Sequence, residues 1–364
     1  MYSPFTLNIS PMKRLFLINF EKDPDETYIG FEPQWFEDAS YGTGLRIIAW
    51  RKDGYVDVYQ QPGLTVEEKL DVAAKGLADT HIHPMENARF NITPRGVDVA
   101  FAFEDKNGRP VKVEVVEKSQ KPTNPFALLA PVGSSSTKPS YLPVYFMYGF
   151  DFVRRADTQV TISINGRSHK ADPFPFPMNG SRVYFMRYSA DTFLVDWCPA
   201  QSKMLELLEA PVVNPVGSED NHYTGPNGTQ YQLAEMAEEK ELPAFAAIRA
   251  IHNQHTFEAR FQPAFPEITH LPNKASLKGR FTFGAEASAG VVSGEYQVNR
   301  SGDQVEVTLH PKDGWEPQPT TLFLKFFFTA IKVFRQWPKT YQWKAKITLQ
   351  QDAPPYMESK WERV

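Results

Sequence analysis

Apolar and polar residues alternate with period two along most of this chain, and turn residues break the alternation at short intervals. That pattern predicts strands with one buried face. It begins at Leu15–Phe20 and continues through Tyr28–Phe36, Leu45–Trp50 and Tyr55–Tyr59, with Lys52-Asp53-Gly54 closing a hairpin between the last two. Val97, Val99, Phe101 and Phe103 share a face, Lys106-Asn107-Gly108 turns the chain, and Val111, Val113 and Val115 return. Asn-Gly supplies the positive-φ residues that a tight hairpin requires. Val144–Val153, Gln159–Ile164 with Asn165-Gly166, Arg182–Tyr188 and Thr192–Trp197 repeat the theme.

One helix is expected to interrupt this series. Thr65-x-x-Glu68 reads as a capping box, and Val66–Lys75 would end at Gly76. Residues 199–243 change character, with a short helical Lys203–Glu209, a turn-rich Pro211–Gly228 and an acidic helical Leu233–Glu241. Alternation resumes at Ala247–Phe261, Ala275–Phe283, Gly290–Asn299, Gln304–His310 and Thr340–Leu349. The organisation expected is therefore an N-terminal extension (1–13), a β domain (14–198), a linker with short helices (199–243) and a C-terminal β-barrel domain (244–364). Fold class is all-β with minor α, as two antiparallel barrels or sandwiches. Leu322–Phe334 fits two patterns: a helix with a polar stripe of Lys325, Thr329 and Lys332, or a buried strand pair. The helical pattern would also suit a membrane-surface element.

Composition narrows the function classes. The chain has 364 residues, 27 Phe, 15 Tyr and 7 Trp, an aromatic excess that suits half-buried pleated surfaces. A net charge of −4 lacks the basic footprint of nucleic-acid binding. The single cysteine, Cys198, excludes intrachain disulfides and thiolate-rich zinc sites. No apolar run is long enough for a membrane-spanning helix, and Leu15–Phe20 lacks the cleavage site of a secretory signal. The expectation is a cytoplasmic protein without integral membrane contact, with Met12 as an alternative start. Nucleotide-binding glycine loops and a G-x-S-x-G elbow are absent from the sequence, and no cofactor is expected.

Asp79-Thr80-His81-Ile82-His83-Pro84 carries two imidazoles at i and i+2, the spacing with which amidohydrolases clasp a divalent ion. Hairpins follow at once, where such an enzyme needs parallel strands wrapped by helices, so His81 and His83 stay a metal-site alternative. The preferred reading places them in a loop. His252 and His255 have a spacing that would join two imidazoles on a helix, inside a segment that alternates as a strand. A second kind of candidate is a polar residue on a face that should be enclosed. Glu32 and Gln34 share one face of Gly30–Phe36 while Phe31 and Trp35 take the other. Tyr145, Met147 and Asp151 oppose Phe146, Tyr148 and Phe150; Arg187 lies between Met186 and Tyr188, and Asp196 adjoins Trp197. A carboxyl group shut away from water would hold its proton longer and serve as an acid.

The segments Gly30-Phe31-Glu32-Pro33-Gln34-Trp35-Phe36 and Asp172-Pro173-Phe174-Pro175-Phe176-Pro177, the latter leading into Gly180-Ser181-Arg182-Val183-Tyr184, sit in a chain of two β halves. This layout resembles the two-domain lipocalin-like (calycin) proteins that include carotenoid hydratases and natural-product cyclases. The resemblance implies two calycin-type barrels, an apolar ligand in or between them, and acid residues acting on a carbon–carbon double bond. Strand facing, not the resemblance, selects Glu32, Asp151 and Asp196 as catalytic candidates and Gln34, Trp35, Tyr145, Tyr148, Arg187 and Tyr188 as substrate-binding candidates. The expected function is binding of a hydrophobic small molecule, with cofactor-independent isomerisation, hydration or cyclisation if the protein is an enzyme. The alternatives are a metal-dependent hydrolase built on His81 and His83, and a carbohydrate-binding module that uses exposed aromatic platforms.

Overall fold

A computed structural model describes residues 1–364 other than 68, 69, 71, 73, 135, 208–220, 225–229 and 240–241. Strands take 59% of the residues and helices 5%, which makes the fold all-β, with curled antiparallel sheets. Two compact units divide the chain. A sandwich unit comprises Pro11–Ala127 and Met147–Phe193, and a meander unit comprises Met1–Ser10, Leu128–Phe146 and Leu194–Val364.

In the sandwich unit one sheet runs in the order Val183–Ser189, Met12–Asn19, Tyr28–Asp38, Gly42–Arg51, Val56–Gln60, Leu77–Ile82. The second runs Arg167–Ser168, Thr158–Ile164, Pro110–Glu117, Gly96–Glu104, Glu86–Thr93. Alternation decides which side chains lie between them: Phe16, Ile18, Phe31, Leu45 and Ile47 from the first sheet join Val99, Phe101, Val113 and Ile162 from the second in one buried cluster. The predicted Asn165-Gly166 turn is present, with φ of 52° and 78°. Lys106-Asn107-Gly108 also turns as expected; Asp105 Oδ1 accepts from the amides of Asn107 and Arg109 at 2.9 and 3.0 Å.

The meander unit is a ten-stranded sheet whose neighbours are mostly consecutive in sequence, from Asn221–Thr224 through Gln304–Glu316 to Tyr356–Arg363 and Gln201–Met204. Aromatic rings crowd its interior. Phe5 lies 5.0 Å from Phe261, 4.7 Å from Phe265 and 5.7 Å from Trp343, measured between ring centroids, and stacks on Trp197 at 5.8 Å.

Several sequence expectations are corrected. The residues before Met12, read as an extension without periodicity, contain the strand Leu7–Ser10, which pairs with Leu194–Trp197, and supply Phe5 to the core. Across the expected helix Val66–Lys75, residues 68, 69, 71 and 73 lie outside the described residues, and the described ones between them are in no helix. That segment instead links Val56–Gln60 to Leu77–Ile82, a parallel pair, and parallel neighbours require a long crossover. Of the expected helix Lys203–Glu209, residues 203 and 204 end the strand Gln201–Met204, while 208 and 209 lie outside the described residues. Most of the turn-rich 211–228 is likewise undescribed, but Asn221–Thr224 is a strand. The acidic segment read as a helix over 233–241 runs within the strand Gln230–Glu239, and 240–241 lie outside the described residues. Its helix-forming Ala, Met and Glu are overridden by pairing with Leu242–His252 along nearly the whole strand.

The ambiguous 322–334 segment is helical, as Leu322–Ala330 followed by Lys332–Gln336. Thr321 caps the first helix by accepting from Leu324 N at 3.2 Å, and Leu324, Phe327 and Phe328 form the buried face. Lys325, Thr329 and Lys332 are exposed, and so are Leu322 and Phe326. Among the described residues no helix is long and apolar enough to cross a membrane.

Phe31→Ala removes a fully buried ring that touches Phe20, Tyr28 and Phe101, and should cost about 3–5 kcal/mol in urea unfolding. Phe326→Ala, at a position 69% exposed, should shift stability by no more than about 0.5 kcal/mol. Equal losses for the two variants would contradict this account of the core.

Candidate functional site

The second face of the sandwich unit's larger sheet differs from the first. Phe31 and Trp35 turn toward the apolar cluster between the sheets, so Glu32 and Gln34 turn away from it, as alternation requires. Register extends this second face across four strands: Arg187 pairs with Leu17, Leu15 with Gln34, Gln34 with Arg46 and Glu32 with Ile48. The pairs Leu15–Gln34 and Ile18–Phe31 set Leu17 opposite Glu32. Arg187, Leu17 and Glu32 thus form a row, with the backbones of Arg187 and Glu32 roughly 10 Å apart across two strand spacings. Glu32, Arg187 and Leu17 between them are half-buried.

A relay orients Glu32. Arg46 Nε donates to Gln34 Oε1 at 2.7 Å, so the Gln34 amide must present its NH2 group on the other side, where Nε2 donates to Glu32 Oε1 at 2.7 Å. Arg46 is held in turn by Glu67 Oε1 (2.9 Å) and the Tyr41 hydroxyl (2.8 Å), and it stacks on Phe36. Burial is the largest influence on the Glu32 carboxyl and raises its pKa above the ordinary glutamate range; hydrogen bonds from Gln34 and Trp50 and the positive charges of Arg187 and Arg46 oppose it only in part. Burial also lowers the Arg187 guanidinium to about 10, against the pull of Glu32 and Glu21.

Phenylalanines continue this face beside Arg187. The guanidinium sits 4.4 Å from the Phe185 ring, Phe185 stacks on Phe174 at 5.6 Å, and Phe174 contacts Phe152 (4.9 Å) and Phe176 (4.5 Å). The sequence reading missed Arg46, Asn19, Phe174 and Phe185. A signal for Phe174 was the Phe-Pro repeat of 172–177, which holds rings at alternate positions.

The remaining candidates are dispersed. Asp151 pairs with Tyr188, a residue of the cluster between the sheets, so it occupies the face opposite Glu32. Its carboxylate accepts from the amides of Phe152 (2.8 Å) and Asn124 (3.3 Å), and burial raises its pKa against those bonds. Alternation along 145–151 does not carry through, because Gly149 leaves the extended conformation at φ 59°, where an added Cβ would lie 2.8 Å from that of Ala190. Trp35 packs against the inter-sheet cluster and Tyr188 is part of it. Tyr148 is buried and its carbonyl accepts from Ser189 Oγ at 2.8 Å. Asp196 and Tyr145 belong to the meander unit, where the Tyr145 hydroxyl donates to Asp196 Oδ1 at 3.0 Å and lies 3.1 Å from the Tyr141 hydroxyl. Burial, and next to it the Asp196 charge, pushes the Tyr145 phenol well up.

His81 stacks on Tyr59 at 5.2 Å and its Nε2 meets Asp79 Oδ2 at 3.2 Å, while the Nδ1 of half-buried His83 lies 2.7 Å from the Pro84 carbonyl. Among the described residues no three His, Cys, Asp or Glu side chains stand together as a metal site would need. His252 and His255 face each other across the two-residue turn Asn253-Gln254. A strand hairpin therefore joins an i, i+3 histidine pair as effectively as a helix does. None of the seven tryptophans is exposed. Comparisons of the chain with family models, curated proteins and solved structures find no match.

The raised Glu32 pKa has a measurable consequence. Between the ordinary glutamate value of 4.5 and the folded value, the unfolded chain has released a proton that the folded chain still holds, so stability falls as pH rises. In Glu32→Gln that loss is absent. The variant should gain on the parent through this window by up to about 1.4 kcal/mol per pH unit, read from unfolding curves between pH 4 and 8. Parallel pH profiles would show that Glu32 ionises as an ordinary surface carboxylate does.

Proposed function

We propose that this protein binds a lipophilic small molecule on the second face of the sandwich unit's sheet and transforms it by proton transfer from Glu32, without a cofactor. The observation that carries the reading is a carboxyl group, inclined by burial to keep its proton, on a sheet face that continues through Leu17 and Arg187 to a series of phenylalanine rings. Ligand recesses are mostly apolar with a few placed polar groups, and this face has that composition. Isomerisation, hydration and cyclisation of an alkene or carbonyl compound each begin or end with such a transfer, and a positioned acid contributes about 10²–10⁴-fold to rate.

Family membership is part of the proposal. An all-β chain of two units supports placing it with the two-domain lipocalin-like proteins, although fold alone assigns no chemistry. Among the described residues, the dispersed histidines favour this reading over a metal-dependent hydrolase, and the tryptophans, none of them exposed, favour it over a sugar-binding platform.

Incubation with a lipophilic cell extract should leave a low-mass species on the parent protein in native mass spectrometry, and chromatography should show a product. Glu32→Gln should retain the species and lose product formation by at least about 100-fold. Phe185→Ala should weaken retention itself. An unmodified protein that retains nothing would remove the reading, and a Glu32→Gln variant with full turnover would remove Glu32 as the acid.

A further inference from the structure

Arg187 contrasts with three other arginines of the sandwich unit. Arg46 holds Glu67, Arg109 holds Asp25 and Asp105, and Arg154 holds Glu117, each through an ion pair. Among the described residues Arg187 makes one hydrogen bond, from Nη1 to Asn19 Oδ1 at 3.1 Å, one stacking contact with Phe185, and no ion pair. Nε and Nη2 are left without a protein acceptor. Arg187 is half-buried, and its five donors form a planar fork suited to a two-oxygen anion. Glu32 and Glu21 pull on its charge, and neither forms an ion pair with it.

We infer that Arg187 is the receptor for an anionic oxygen group at one end of the ligand, so that the molecule bound is an amphiphilic acid: a carboxylate, sulfonate or enolate carrying an apolar body. The site takes the head at the Nε and Nη2 edge of Arg187 and lays the body along Leu17 toward Glu32, or along Phe185 and Phe174. Either course is apolar, and the first brings an unsaturated segment of the ligand beneath the acid. This assignment rests on the apolar-ligand reading above and sharpens it to one chemical class.

Two fluorescent probes of nearly equal shape test it: 1-anilinonaphthalene-8-sulfonate, which carries an anion, and N-phenyl-1-naphthylamine, which does not. The parent protein should bind both. Arg187→Met should weaken the sulfonate at least about tenfold and the neutral amine by less than about twofold, because loss of a partner from a desolvated ion pair is a large effect. Arg187→Lys, which keeps the charge and loses the fork, should fall between. Arg187→Met should also unfold at the same temperature as the parent or higher, since it removes a half-buried charge to which the fold gives no ion pair, whereas an arginine with a purely structural role would lower it. Competition needs no variant: decanoate should displace N-phenyl-1-naphthylamine from the parent at lower concentration than 1-decanol does. Equal weakening of both probes, or equal potency of the two competitors, overturns the anion assignment and leaves the apolar-ligand reading in place. A parent protein that binds neither probe overturns both.

Discussion

A strand residue has only two directions in which to point, and the sandwich unit is built on that constraint. Along Tyr28–Asp38 and Gly42–Arg51 the residues of one parity meet the second sheet and must be apolar: Phe31, Leu45, Ile47 and Ala49 are all buried in one cluster. The other parity is thereby freed from the core and can carry Glu32, Gln34 and Arg46. A slip of one residue in register would exchange the two sets, burying a carboxylate and a guanidinium among phenylalanines, so the apolar packing of one face fixes the polar arrangement of the other.

Electrostatics on that second face are governed by competition between desolvation and pairing. Where a partner is close the charge is held: Arg46 has Glu67, Tyr41 and Gln34, and Arg154 has Glu117 and three backbone carbonyls. Where partners are few, burial dominates, and it does so in opposite senses for an acid and a base. Glu32 is raised and Arg187 lowered, each toward neutrality. Perturbed groups cluster at functional sites, and structural ion-pair networks produce them as well. Asp151 shows why perturbation alone is insufficient: it is equally shielded, but two backbone amides hold it on the core side of the sheet, next to Tyr188.

How much of this was legible depended on the range of the interaction. The hairpins at Asn165-Gly166 and Lys106–Gly108 were readable because the signal is local, and the opposite facing of Glu32 and Phe31 was readable because parity is local too. Gly149 broke the same logic within 145–151, since one residue at positive φ resets the alternation without any mark in composition beyond the glycine itself. Gln230–Glu239 misled in the other direction. Its residues favour a helix, and only the neighbouring strand Leu242–His252, which offers a complete ladder of backbone partners, makes the extended form cheaper.

By itself the sequence determined the class of fold, many of the strands, the turns and the two faces of each strand, because these follow from periodicity and backbone preference over a few residues. It did not reveal which strands would lie side by side. The row Arg187, Leu17 and Glu32 joins two consecutive strands to one from much later in the chain, and the aromatic series Phe152, Phe174 and Phe185 joins two strands to the loop between Arg167–Ser168 and Val183–Ser189. Register between distant strands brings these groups together, and burial, a property of everything packed around a side chain, sets their protonation. Both arise only when the chain is folded.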